Sequence, residues 1–241
     1  MKRSPALLLL TLVSFASTTH ADPDDYVATP AVEYGEREIE LRSGTATPQE
    51  GERPSAASLA AGYGVTPWWA TEIYVKWHRS DATRFDAFEW ENRFQLTEPG
   101  QYFADFGLLV ELERPRERAE GYELRLGPLL QKDFGRVQAN VNVLFERHYR
   151  AAAPEATEFG YQWQLKYRWR PAFEFGAQGF GDVGPWNDWS PAREPHVLGP
   201  AVFGKLDVGG RRAVKYDAAL LFKVSAAAPA RTLRAQIEYE F

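Results

Sequence analysis

The chain has 241 residues, a net charge of −5 and no cysteine, yet it carries 8 Trp, 11 Tyr and 15 Phe. Without cysteine there are no disulfides and no lipid attached through a thiol, and the acidic balance argues against a nucleic-acid partner. No stretch approaches the roughly 18 to 20 consecutive apolar residues of a membrane-spanning helix.

Lys2 and Arg3 precede an apolar run at 6–13, and Thr19, His20 and Ala21 offer small residues where a signal peptidase reads. Residues 1–21 therefore read as a cleaved export signal, leaving 22–241 as one domain. Lys2 and Arg3 are the signal's only formal charges, so cleavage moves the net charge from −5 to −7.

Beyond that point the chain alternates between apolar and polar residues in segment after segment, the signature of strands with unlike environments on their two faces. In chain order the segments are 36–42, 58–66, 69–78, 84–96, 103–112, 122–127, 137–146, 159–170, 172–181, 197–208, 212–224 and 233–241. The clearest is FGYQWQLKYRWR. Phe159, Tyr161, Trp163, Leu165, Tyr167 and Trp169 fall on one side, and Gly160, Gln162, Gln164, Lys166, Arg168 and Arg170 on the other. That run is about twice as long as the usual strand of 5 or 6 residues.

The links between segments sort by parity. Odd-numbered links such as SGTATPQEGERPSAA, RPRERAEG and DVGPWNDWSPAREPH are mostly long, and even-numbered ones such as TPW, RP and GGR are mostly short. Long loops at one end and tight turns at the other are the asymmetry of a transmembrane barrel. A closed sheet supplies every main-chain group with an internal partner in lipid. An even strand number puts both chain ends on the periplasmic side. Trp68, Trp69, Trp90, Tyr102, Trp163 and Trp169 are placed near strand ends, where amphipathic rings favour the interface.

The ending LRAQIEYEF, an alternating strand closed by an aromatic residue, resembles the last strand of Gram-negative outer-membrane β-barrel proteins. Ile237, Tyr239 and Phe241 occupy the matching positions. The resemblance implies an outer-membrane location, lipid against the aromatic faces, and Phe241 as part of a signal read by the barrel-assembly machinery. The expected fold is all-β: a closed antiparallel transmembrane β-barrel of about 12 strands.

With the aromatic faces toward lipid, the polar faces line the interior. The expected pore-lining set is Glu72, Lys76, Glu89, Glu91, Arg93, Asp105, Glu111, Arg125, Asn140, Asn142, Gln162, Gln164, Lys166 and Arg168. Acids gather on the earlier strands and bases on the later ones. The carboxylates Glu89, Glu91, Asp105, Glu111 and Glu113 could hold a divalent cation. Pairing with Lys76, Arg93, Arg125, Lys166 and Arg168 is the preferred reading, because unpaired charge is costly in a narrow interior. Trp186 and Trp189, in the least generic loop, either fold inward as a constriction, contact a sugar or lipopolysaccharide, or self-pack. Gly62 and Gly64 ease bending or close packing in the wall.

His78, His148 and His196 fall in or beside long loops, and His78 near Ser80 and Asp81 has no fixed geometry for a triad. No catalytic residue, metal or cofactor is expected. The functional expectation is a narrow channel for passive diffusion of small polar solutes. The alternatives are a closed structural or interaction barrel with functional outer loops and, with least support, an envelope-lipid enzyme.

Overall fold

Strands β1 (Arg37–Thr47), β2 (Ser55–Thr66), β3 (Trp69–Arg79), β4 (Thr83–Gln95), β5 (Asp105–Pro115) and β6 (Tyr122–Phe134) form half of a sheet. β7 (Val137–Tyr149), β8 (Glu158–Arg170), β9 (Phe173–Pro185), β10 (His196–Gly209), β11 (Arg212–Lys223) and β12 (Arg231–Glu240) complete it. The computed structural model describes residues 23–51, 53–153 and 156–241, so the export-signal reading of 1–21 lies outside the described residues. Each strand pairs antiparallel with its sequence neighbours, and β12 closes onto β1 with Leu41 opposite Ile237 and Ser43 opposite Ala235. The result is a closed barrel of twelve strands. Beyond β12 the Phe241 amide donates to the Arg37 carbonyl at 2.9 Å, carrying the seam to the chain end.

The alternation resolves into two faces. Leu41, Ile73, Leu112, Val141, Leu165 and Ile237 are exposed on the outer wall. Glu40, Glu91, Asn142, Gln164, Gln178 and Arg234 are buried on the inner one. A sheet that exposes its apolar side chains and buries its charged ones requires a hydrocarbon exterior. The molecule is therefore a transmembrane β-barrel.

Four local departures from the sequence reading have physical causes. β6 continues through Gly127 and Pro128, where the alternating pattern stops. There the β6–β7 register lapses between Leu126 and Leu129, and a Cβ on Gly127 would sit 1.8 Å from the Val143 oxygen. Proline has no amide to offer a ladder, so an interruption at this point is expected. The β4–β5 link, 96–104, is long although even-numbered, and the β3–β4 link, 80–82, is short although odd. The Asp105 carboxylate accepts from the Gly100 amide at 2.6 Å and folds the longer link back on itself. Trp90 and Trp163 lie well within their strands, opposite Ile73 and Val141, so they are not end markers.

Leu165 sits midway along β8 on the lipid face. Leu165→Arg is expected to lower the unfolding free energy in lipid vesicles by about 2–4 kcal/mol. An unchanged stability, measured by denaturant titration, would put the register off by one residue.

Candidate functional site

The interior is occupied by the chain's own N-terminal segment. Ahead of β1 the backbone reverses at a turn in which the Glu36 amide donates to the Glu33 carbonyl at 3.3 Å, with Gly35 at φ 77°. The Gly35 amide donates to the Gly64 carbonyl at 2.8 Å, and the Gly64 amide to the Glu36 carbonyl at 2.9 Å. From this turn, residues 34 down to 23 run back along the inside of the wall. The Val32 amide donates to Gln95 Oε1 at 2.9 Å. Asn142 Nδ2 donates to the Ala28 carbonyl at 3.1 Å.

Three inward glycines make the space. A Cβ on Gly64 would lie 1.9 Å from the Glu33 oxygen, and one on Gly44 would lie 1.8 Å from the Pro23 oxygen. One on Gly107 would lie 2.8 Å from the Pro30 Cβ. Any side chain at Gly44 or Gly64 would collide with the segment's main chain.

Side chains of the segment dock on two apolar patches in an otherwise polar bore. Tyr26 and Ala28 pack with Leu109, Leu129 and Leu144. Val27 packs on the other side with Phe180, Val197, Phe203 and Leu221. Successive residues of an extended chain point to opposite sides, which is how one segment reaches both patches.

Charge on the earlier strands is organised around the Tyr26 ring. The Arg42 guanidinium carbon lies 3.3 Å from the centre of that ring and 4.3 Å from the centre of the Tyr74 ring. Arg42 pairs with Glu40, and Tyr26 donates to Glu91 Oε2 at 2.5 Å. Arg93 bridges Glu72 at 2.6 Å, Glu91 at 3.3 Å and Glu38 at 3.4 Å. Lys76 holds Glu113 at 2.7 Å and Glu89 at 3.3 Å. Arg125 gathers Glu146, Glu111, Asp25 and Glu123 within 3.7 Å. Cations therefore stand among Glu89, Glu91, Glu111 and Glu113, four of the carboxylates that could have taken a divalent ion, while Lys166 and Arg168 pair instead with Glu174 and Asp133.

Strands β6 to β9 add a row of amides. Asn140 donates to Gln131 at 3.0 Å, Gln164 to Asn140 at 3.1 Å, and Gln178 to Gln164 at 3.1 Å. Arg234 on β12 reaches across to Gln178 on β9 at 2.6 Å while holding Asp217 at 2.9 Å. It can span that chord because the β10 and β11 residues beside it, Ala201 and Ala219, are small and buried.

The open space is uneven. On one side of the segment lies a cavity of about 540 Å³ near the tight-turn end, lined by Glu36, Glu38, Lys166, Arg168, Lys205 and Tyr216 among others. Toward the long-loop end, around Asp24, Asp25, Tyr26 and Arg125, the void is about 20 Å³, room for roughly one water.

Of the expected lining residues, Glu72, Arg93, Gln164, Lys166 and Arg168 border the cavity. Lys76, Glu89, Glu111 and Arg125 border the small void. Glu91 bonds the segment's Tyr26, and Asn142, which bonds the segment's backbone, also donates to Gln162 at 3.2 Å. Asn140 belongs to the amide ladder, and Asp105 serves the 96–104 link. Trp189 stacks on Phe159 with centroids 5.4 Å apart, on the lipid-facing row, and neither Trp186 nor Trp189 borders the cavity. An inward constriction by that pair is therefore not what the loop forms. His148 and His196 each have a ring nitrogen against a backbone carbonyl, of Glu120 at 3.1 Å and of Pro191 at 2.7 Å. Ser80 donates to Asp81 at 3.3 Å within an exposed turn.

Sequence reasoning missed Tyr26, Arg42 and Tyr74. The available signal was the apolar side chains on the polar faces: Leu109, Leu129, Leu144, Phe180, Phe203 and Leu221. Apolar groups in a wet bore need a cover.

Gly44→Val is expected to expel the segment. A reporter cysteine replacing Val27, unreactive in the parent, should then label readily with a water-soluble maleimide. Equal protection in both backgrounds would contradict the docking described.

No protein-family model matches the chain, and no curated protein matches it in sequence. Among solved structures it is similar to the COG4313 outer membrane channel from Pseudomonas putida F1, with a TM-score of 0.59 and 10% identity over 92% of this chain and 99% of that one. It is also similar to the NanC porin, with a TM-score of 0.56 and 11% identity over 84% and 98%. A third is the translocator domain of the autotransporter NalP from Neisseria meningitidis, at 0.55 and 10% over 87% and 88%. At such identities the likeness is one of architecture, and the architecture is that of outer-membrane β-barrel proteins.

Proposed function

We propose that this protein is a narrow outer-membrane channel for passive diffusion of small polar solutes, its bore restricted by its own segment 23–34. The observation that carries the reading is a charge-lined cavity of about 540 Å³ beside the internal segment. A structural barrel needs no such chamber. Among the described residues, the segment continues into the wall through the turn at 33–36 and is held by side-chain contacts and a few hydrogen bonds, with no ladder of its own.

The amide ladder and paired charges suit polar solutes, because they offer replacement hydrogen bonds without a large net field. A closed structural barrel is the second reading, and the Arg234 chord and the packed void around Asp25 favour it. Unitary conductance in planar bilayers separates the two. The full chain should conduct weakly and a variant lacking 23–34 several-fold more, with small reversal potentials in a salt gradient. A folded, heat-modifiable deletion variant without conductance would transfer the assignment to the closed barrel.

For biogenesis we propose recognition of the terminal strand by the barrel-assembly machinery. Phe241 stacks on Tyr239 at 5.6 Å and is half exposed at the seam, accessible to a partner before closure. Deleting Phe241 should leave processed, protease-sensitive chain in the periplasm. Unchanged outer-membrane levels would contradict this.

A further inference from the structure

We infer that the cavity is a binding site for small zwitterions of amino-acid or dipeptide size, which enter with the ammonium toward β1 and the carboxylate toward β8. The inference deepens the channel reading and rests on it for solute access to the chamber.

The argument begins with which charges border the space. On the side of β1, β3, β4, β11, β12 and the turn, the bordering carboxylates are Glu33, Glu36, Glu38, Glu40, Glu72, Asp217 and Glu238. The cations bordering the cavity among them are Arg42, Arg93 and Lys215, and Arg234 holds Asp217 at 2.9 Å from outside the lining, so cations remain fewer than carboxylates. Lys215 divides itself among Glu240, Glu238 at 3.0 Å and Glu36 at 3.6 Å, and Arg93 likewise serves three carboxylates. This wall has negative charge left over.

The facing wall is different. In the closed ring β8 lies opposite β2, so Lys166 and Arg168 look across the chamber toward the β1–β3 carboxylates. The Lys166 ammonium has Glu174 only at 3.8 Å and rests 4.8 Å from the Phe203 ring centre. Arg168 holds Asp133 at 2.9 Å, but both side chains are about two-fifths exposed, where such a pair contributes little. An incoming carboxylate can displace these contacts at small cost and gain two cations.

A ligand with one ammonium and one carboxylate satisfies both walls and buries no unpaired charge. A dianion or a dication satisfies one wall and is repelled by the other. Gln131, Gln138 and Gln164 supply neutral donors and acceptors for an amide linkage, while Phe203 and Tyr216 offer ring surface for a side chain. The volume of about 540 Å³ falls within the roughly 300–1,000 Å³ typical of small-molecule sites.

The test is isothermal titration of the full-length barrel in detergent at low ionic strength. The probes are alanyl-alanine, its N-acetyl derivative, its C-terminal amide, and sucrose. Alanyl-alanine should bind at least tenfold more tightly than either blocked derivative, and sucrose most weakly. Lys166→Gln, checked for folding by heat-modifiability, should lose the preference for the free acid over the amide. It should keep the preference for the free amine over the N-acetyl form, a split that general loosening would not produce. Equal affinities across the series, or no binding of alanyl-alanine at millimolar concentration, would overturn the inference. Conductance of the variant lacking 23–34 is read separately, so failure here leaves the channel reading standing. Binding without conductance would leave a solute-binding barrel instead.

Discussion

A sheet closed in a bilayer must answer to two solvents at once, and the alternation of side chains is the only means it has. Each strand gives its odd or even residues to lipid and the remainder to the interior, so one residue of slip would reverse every assignment. Leu165 between Gln164 and Lys166 shows how tightly this binds the chain. The same constraint explains why the barrel is inside-out in its burial, with Ile73 exposed and Glu72 almost wholly covered.

Once charged groups are committed to a bore of this width, they must neutralise one another or stay wet. Both solutions occur, separated along the axis. Around Tyr26 the segment excludes water, and there the cations each serve several carboxylates while a guanidinium lies between two tyrosine rings. Beyond the segment the chamber stays open and its pairs are looser, as at Lys166 and Arg168. The segment therefore divides the interior into a sealed part and a solvated part, and solute handling belongs to the second.

Strand number, closure, facing and the loop asymmetry were legible because they follow from period two and from turn chemistry, both of which are local. Trp90 and Trp163 were misplaced because a ring's depth depends on strand tilt, which a single strand does not encode. The end of β6 was misread because Gly127 and Pro128 are breakers in isolation and an interruption within a ladder in context. The charged lining was read as a surface, whereas Glu91 and Asn142 turned out to be contacts for the segment. Nothing local in PDDYVATPAVEYG marks it as an internal element. The evidence for it was distributed over Gly44, Gly64, Gly107 and the inward leucines, residues brought together only by closure of the ring.

Everything argued about the interior depends on residues 23–34 lying inside the wall in the native membrane. The parent chain has no cysteine, so a pair introduced at Ala28 and Leu144, which share one apolar cluster, reports on that directly. Mild oxidation of intact outer membranes should link the two within one chain, shifting its migration without heat, while a cysteine at Ala28 alone resists water-soluble maleimide. Free labelling of position 28, with no linkage to position 144, would contradict the account.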